Sequence, residues 1–404
     1  MARTRLSVGS RQKLPASPEE AAELLRACAD EGLRLRPRGG GTKLDWGRPA
    51  PEADVEVLTA HLDRVVEHNA GDLTATLQAG VPLATAQETF AAAGQMLALD
   101  PPLRGPDPAG EAAATVGGVV ATGDSGPLRH RYGAARDLLL GITVALSDGT
   151  LARAGGKVIK NVAGYDLAKL YAGSFGTLGL VVEVVVRLHP RPLRTATVAG
   201  RTDDAAALGR AAAALAHAPA QMDCLDVAWG QGRGELLARF GGAACEVRAG
   251  SAVALVGACG LDAGIVEGDD AELWQRQRSR QRSVSGPPGG RGAIIRVSGL
   301  PAELARVIRA AERAGGALVG RAGLGLSWIE LPYVAGAEEL AGCIEEVRRD
   351  LAPSACPVLD APDEVRDRVD VWGPDPSALA LMRRLKDRFD PAGVCNPGRF
   401  VGGI

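Results

Sequence analysis

The sequence predicts an α+β protein of two domains, closed by a C-terminal segment that returns to the first. Three observations carry this prediction. The chain has 404 residues, more than one ordinary domain accommodates. Glycine collects in three clusters, RPRGGGTKLDWG (36–47), ATVGGVVATGDSG (114–126) and the run 155–179, all in the first half. After Pro190-Arg191-Pro192 the texture changes to alanine-rich helices alternating with strands, the pattern of a compact α+β layer. The predicted units are 1–192, 193–384 and 385–404.

The elements follow in order. Ser17-Pro18-Glu19-Glu20 reads as an N-cap, an N1 proline and an acidic first turn, opening a helix that Gly32 ends. LRLRP is a short strand leading into the first glycine cluster. DLTATLQAG (72–80) alternates as a strand, Pro82 opens a helix through ATAQETFAAAG, and QMLALDPP is expected as a strand running to the second cluster. Residues 137–154 read as a β-hairpin turning at Asp148-Gly149. The third cluster then enters the β-branched strand LVVEVVVRLHP. Beyond 193, AAALGRAAAALAHA, ELARVIRAAERAGG and GAEELAGCIEEVRRDL are helices, while AVALVGACGL and GAIIRVSGL are expected strands. Segment 275–292, basic and then Pro/Gly-rich, is either an anionic docking patch or a solvated surface loop. LKDRFDPAGVCNPGRF (385–400) is a helix broken by rigid turn chemistry, which implies docking rather than fraying.

Composition narrows the function. Glycine supplies 53 of 404 residues against a usual share of about 7%, without a G-X-Y period, so backbone-lined binding loops are expected and collagen is excluded. A net charge of −2 argues against nucleic acid as a partner. The seven cysteines are scattered without C-x-x-C, which predicts reduced thiols, a cytoplasmic protein, and no iron–sulfur or zinc ligation by this chain. No apolar run nears the ~18 residues of a membrane span, and MARTRLSVGSRQK lacks the apolar core of a secretion signal.

Arg38, Gly39, Gly40, Gly41, Thr42 and Lys43 follow a strand and offer consecutive unhindered N–H groups, a nest for phosphate oxygens. Glycines this dense are expected where a bulky ligand lies against bare main chain. The G-x-x-x-x-G-K-[ST] spacing is missing, and G-x-G-x-x-G does not fall within a convincing βαβ unit.

The order and spacing of the clusters resemble the FAD-binding domain of the vanillyl-alcohol oxidase superfamily, the PCMH-type domain. More narrowly, residues 107–141, residues 157–179 and the tail FDPAGVCNPGRF resemble the FAD-binding E subunits of bacterial glycolate oxidase. The resemblance implies a PCMH-type domain of two α+β subdomains, a smaller α+β cap domain, and a tail that meets the flavin. It assigns residues 38–43 to the FAD pyrophosphate. Thr115, Gly117, Gly118, Ala121, Thr122, Gly123, Asp124 and Ser125 would line the run toward the flavin ring. Gly176, Gly179 and Val181 would press on the adenosine end, and Asn396 would approach the ring.

Departures from the family pattern matter equally. Gly41 and Thr42 stand where many members carry a flavin-linking histidine, so noncovalent FAD is expected. All five histidines lie in the first 217 residues, so the C-terminal H-x-G-D-G-N-x-H metal motif is absent, which argues against independent hydroxy-acid oxidation. The implied function is the FAD-binding subunit of a glycolate oxidase-type 2-hydroxy-acid dehydrogenase. Its implied partners are a catalytic flavoprotein subunit and an iron–sulfur subunit, with peripheral membrane association through them. A structural FAD-binding partner and a stand-alone oxidase are the alternatives. No catalytic residue is assigned. Arg129, His130, Arg131 and Tyr132 are candidates to face the flavin, with contacts to phosphate or to Asp137 as the plainer role. Lys160 and Asn161 are read as ordering the third glycine loop, and Tyr165 and Tyr171 as packing residues.

Overall fold

The computed structural model describes residues 12–49, 52–103, 113–157, 166–282, 291–333 and 336–404. The readings made for the N-terminal stretch, for Lys160, Asn161 and Tyr165, and for 283–290 lie outside the described residues.

The first helix, α1 (Pro18–Glu31), begins as its sequence dictates. The Ser17 hydroxyl accepts from the Glu20 N–H at 3.1 Å, and Gly32 ends the helix in the left-handed region at φ 68. Strands β1 (Leu35–Arg38) and β2 (Val55–Leu58) pair in parallel, and Gln12–Lys13 extends β2 on its other side. A five-stranded antiparallel sheet then forms from β3 (Val65–Asn69), β4 (Thr74–Gln78), β5 (Leu139–Ala145), β6 (Leu151–Gly155) and β7 (Leu180–Arg187), ordered β3-β4-β7-β5-β6.

Both faces of this sheet are covered. Leu180, Val182 and Ala145 pack in the α1 core, whereas Val181, Val184 and Val186 pack against α2 (Leu83–Ala91) and α3 (Val116–Thr122). A register shift makes this possible: Val144 faces Val181 while Thr143 faces Glu183, so one extra residue of β7 turns the side-chain phase over.

Three local expectations are corrected here. QMLALDPP contributes only Gln95–Met96 as strand. The second glycine cluster is a short helix, not a loop. Thr115 caps α3 by accepting from the Gly118 N–H at 3.3 Å, and Gly123 ends it at φ 64. Residues 137–138, the expected start of the hairpin, belong instead to a helical turn, Ala135–Leu138.

The second half is one eight-stranded antiparallel sheet. Its strands are β8 (Thr195–Thr202), β9 (Cys224–Gly230), β10 (Arg233–Gly241), β11 (Asp262–Ile265), β12 (Ala293–Ser298), β13 (Ala317–Arg321), β14 (Leu326–Leu331) and β15 (Val358–Asp360), ordered β11-β8-β10-β9-β13-β14-β12-β15. Helices α4 (Ala205–His217), α5 (Cys245–Ala258), α7 (Leu304–Arg313) and α8 (Ala337–Leu351) cover one face and enclose the largest apolar core. The stretch expected as strand AVALVGACGL is mostly α5. Its buried positions Cys245, Ala249, Ala252 and Val256 recur at helical spacing, and Gly200 of β8 leaves room for Val256.

The opposite face turns toward the first half. There Ile294, Val319, Trp328 and Leu359 pack around Trp46. Helix α6 (Ala271–Ser279) lies on the same side, burying Trp274 against Cys224 and Leu237.

Helix α9 (Leu379–Phe389) returns the chain to the start. Lys386 donates to the carbonyls of Thr177 and Cys395, both at 2.8 Å, and Cys395 bridges in parallel to Leu35 of β1. Trp372, Phe400 and Phe175 stack edge-on or tilted at 4.9–5.6 Å, fastening the tail to the third cluster. No helix among the described residues is long and apolar enough to cross a membrane.

Candidate functional site

One cavity is bordered by residues 38–43, by Thr115, Gly117, Gly118, Ala121 and Thr122 of the α3 end, by Gly176, Gly179 and Val181, and by Asn396. Three expected residues stand outside its border. Gly123 is the left-handed residue that ends α3, and Asp124 and Ser125 are buried just beyond it.

The reason for most of the glycines differs from the one expected. A Cβ on Gly40 would stand 1.6 Å from the Ala113 carbonyl oxygen, and one on Gly39 would stand 2.2 Å from Thr115 Oγ1. Gly117 meets Ala79 at 2.5 Å and Gly179 meets the Ala145 oxygen at 2.7 Å. The chain, not a ligand, excludes side chains at these positions. The glycines let the turn after β1, the start of α3 and the entry to β7 press together, so that main chain forms the wall. Among the described residues, no acceptor is engaged by the N–H groups of residues 39–43. Such a row of uncommitted donors is of the kind that can accept an anion.

Cations border the same wall. Arg36 and Arg38 share Glu56, at 2.5 and 3.5 Å. Arg399 is buried, donates to the carbonyls of Trp46 and Arg48 at 3.4 and 3.2 Å, and is pushed down to about 10 by burial, with Arg366 and Arg36 adding to the effect. Its Gly398-Arg399-Phe400 context lay in the tail motif, so it was within reach of the sequence.

Lys43 is not a free phosphate ligand. Its ammonium sits 3.3 Å from Asp124, which also faces Arg282 at 3.6 Å. Burial pushes the Lys43 amine down to about 8 against the pull of Asp124, and Arg282 adds to the depression. Thr42 accepts from Lys43 through its hydroxyl and from Arg282 through its carbonyl, at 3.3 and 2.7 Å.

Asn396 adopts φ 43, donates its backbone N–H to the Leu35 oxygen at 2.8 Å, and donates its side-chain amide to the Phe175 oxygen at 2.6 Å. It thereby holds two successive left-handed residues, Phe175 at φ 56 and Gly176 at φ 72, beside the cavity.

Of the basic segment 275–292, residues 275–279 belong to helix α6, where Gln275, Arg276 and Ser279 are exposed. Gln277, Gln281 and Arg282 are buried. Gln281 donates to the Ser125 carbonyl at 3.0 Å and accepts from Arg321 at 2.6 Å, while Arg321 pairs with Asp226 at 2.8 Å, both fully enclosed. Burial raises Asp226 to about 6 despite Arg321. None of these carried a local sequence signal, because their partners come from segments far apart in the chain.

The four candidates after the second cluster disperse. Arg129 donates to the Ser125 hydroxyl at 3.2 Å. Arg131 pairs with Asp223 at 2.7 Å rather than Asp137, which instead accepts from the Ala134 N–H. His130 packs beside Gly323 and Leu225, its pKa lowered by burial, and does not border the cavity. Tyr132 stacks on His189 at 4.7 Å. Among the described residues bordering the cavity there is neither histidine nor cysteine. Tyr171 is buried against Phe389, a packing residue as expected.

Comparison with known proteins identifies the ligand. Residues 13–155 match the FAD binding domain, and residues 373–400 match the C-terminal domain of FAD linked oxidases. Glycolate oxidase subunit GlcD of Bacillus subtilis (strain 168) is 35% identical over 178 residues, covering 44% of this chain and 36% of that protein. Glycolate oxidase subunit GlcE of Escherichia coli (strain K12) is 38% identical over 155 residues, covering 38% of this chain and 42% of that protein. The matched stretch thus spans less than half the length of these relatives. Among solved structures, 4-ethylphenol oxidase from Gulosibacter chungangensis superposes with a TM-score of 0.69 at 17% identity, over 96% of this chain and 88% of that one. An alkyldihydroxyacetonephosphate synthase gives 0.68 at 16% identity, over 96% and 75%. At such identities the likeness is one of fold, and the fold is the α+β architecture of the PCMH-type FAD oxidases. The cofactor of this chain is FAD, and the row of uncommitted N–H groups and the cationic border suit a diphosphate.

Proposed function

From a chain whose first third is an FAD binding domain, we propose the FAD-binding subunit of a glycolate oxidase-type 2-hydroxy-acid dehydrogenase. The observation that carries the reading is the row of uncommitted N–H groups at residues 39–43, set in a wall that the returning tail completes. These N–H groups hold the diphosphate, with Arg399 beside them. The start of α3 lies along the run toward the ring, residues 176–181 lie against the adenosine end, and Asn396 fixes the turn at Phe175. FAD, when bound, supplies acceptance of two electrons from an alcohol carbon. The chain's own part is to bind and orient, and to exclude water with the Trp46 cluster.

The relatives named glycolate oxidase subunits support a complex, with a catalytic flavoprotein and an iron–sulfur protein as partners, in the cytoplasm or held at a membrane through them. The units 1–192, 193–384 and 385–404 would act as FAD domain, cap and closing segment.

The placement of His130 away from the cavity favours a second reading, a subunit that holds FAD without turning over. Anaerobic glycolate or D-lactate decides between them. Loss of flavin absorbance at about 450 nm by the isolated chain is the expected outcome for the first. Bleaching only after partners are added supports the second. A folded, colourless chain that takes up no FAD refutes both.

A further inference from the structure

Given FAD in this groove, as proposed above, the third glycine cluster must hold its shape before the cofactor arrives, and its own residues oppose that shape. Phe175 sits at φ 56 and Gly176 follows at φ 72. The left-handed region costs Phe175 a close approach between its Cβ and the following carbonyl. Gly176 borders the cavity, and a Cβ there would meet Pro37 of β1 at 3.0 Å, so the loop is pressed against that strand.

The returning tail grips this loop on both sides of Gly176. The Asn396 amide donates to the Phe175 carbonyl at 2.6 Å, and the Lys386 ammonium donates to the Thr177 carbonyl at 2.8 Å. In a trans peptide the carbonyl points opposite to the N–H of the next residue. The two grips therefore turn the N–H groups of Gly176 and Leu178 away from Asn396 and Lys386. Among the described residues neither N–H has an acceptor.

Lys386 suits its place by donor count. Its three N–H bonds meet three acceptors, the Thr177 and Cys395 carbonyls, both at 2.8 Å, and Asp390 Oδ2 at 2.6 Å. Asp390 is fully enclosed and also accepts from the backbone N–H groups of Val394 and Cys395, at 3.3 and 2.8 Å. One ammonium thus ties the end of α9, the tail and the third cluster at a single point. Methionine fills a similar length without donors, and the planar fork of arginine cannot direct three bonds from one atom.

We propose that Lys386 is a positioning residue for the adenosine half of the cofactor, holding the loop so that the Gly176 N–H is offered to an acceptor atom of that half. Lys386 does not border the cavity and acts through the Thr177 carbonyl. Full-length chains are stripped of flavin, and calorimetry reads their affinities for FAD, ADP and FMN, which separate the two halves of the ligand. Lys386→Met is expected to weaken FAD and ADP roughly tenfold, the factor a left-handed residue free to relax implies, and to leave FMN unchanged. Lys386→Arg should lie between. Asn396→Ala, which frees the other carbonyl, should repeat the pattern and serves where Lys386→Met fails to fold. Unchanged affinities in Lys386→Met would overturn the proposal. So would equal weakening of ADP and FMN, the mark of a merely structural role, or weakening of FMN alone. An unsubstituted chain that takes up FAD but not ADP would overturn it as well. A colourless unsubstituted chain would instead defeat the cofactor reading beneath it.

Discussion

The two halves contribute to this site by opposite means. The first half presents main chain: residues 39–43, α3 and the entry to β7 approach so closely that Gly40 leaves only 1.6 Å for a Cβ before Ala113. The second half presents long side chains, Arg282, Gln281 and Arg321, projected from one helix end and one strand. Under the proposed function, a main-chain wall suits what all FAD molecules share, and a side-chain face can be altered one residue at a time.

The largest effect should come from breaking the main-chain wall. Gly40→Val puts side-chain carbon into the Ala113 carbonyl and is expected to cost more than about 3 kcal/mol and to lose FAD. Gly118→Ala meets nothing closer than Thr115 Oγ1 at 3.1 Å and should cost less than about 1 kcal/mol. Thermal melts with flavin absorbance read both, and equal tolerance would dissolve the contrast between the halves.

A smaller effect should follow from cutting the joint. Arg282→Met removes the donor to Thr42 and one partner of Asp124. Because Lys43 remains beside that carboxylate, the expected loss is about 2–3 kcal/mol in denaturant melts. Combining it with Asp124→Asn should cost less than the sum of the two single changes, since the pair acts as a unit.

The mildest effect is one of pH. The folded Lys43 titrates at about 8, below its ordinary 10.5. In the empty protein, burial of the charged amine is therefore destabilising at pH 7, and that cost shrinks as pH rises from about 8 to 10.5. FAD, an anion, favours the charged amine. Its affinity should be level below pH 8 and fall above it, by at most about tenfold per pH unit. Lys43→Met should bind more weakly and show a flat profile in the same titration.

What was legible in the sequence follows from the same contrast. Caps and turns act within a few residues, so Ser17, Gly32 and the Cys395 tail could be read directly. The cavity border could be read because close main-chain approach requires glycine wherever it occurs, even though its cause was neighbouring chain rather than ligand. AVALVGACGL was misread because a short apolar run suits a buried strand and a buried helix equally, and only α5's packing on β8 decides. The second cluster was misread as a loop because Gly117 is helical here for the sake of Ala79. Arg282 was invisible for a different reason. A charge run looks solvated until distant segments supply Thr42 and Asp124 as partners, and that juxtaposition is a property of the folded chain.

Leu35, near the start of the chain, has Cys395 as its outer neighbour, and Arg399 secures the loop at Trp46. Under the proposed function, the groove has its full border only when residues 395–399 are seated on β1 and on the loop at Trp46. A chain in which that segment is undocked should hold the coenzyme more weakly, so the segment works as a latch on retention.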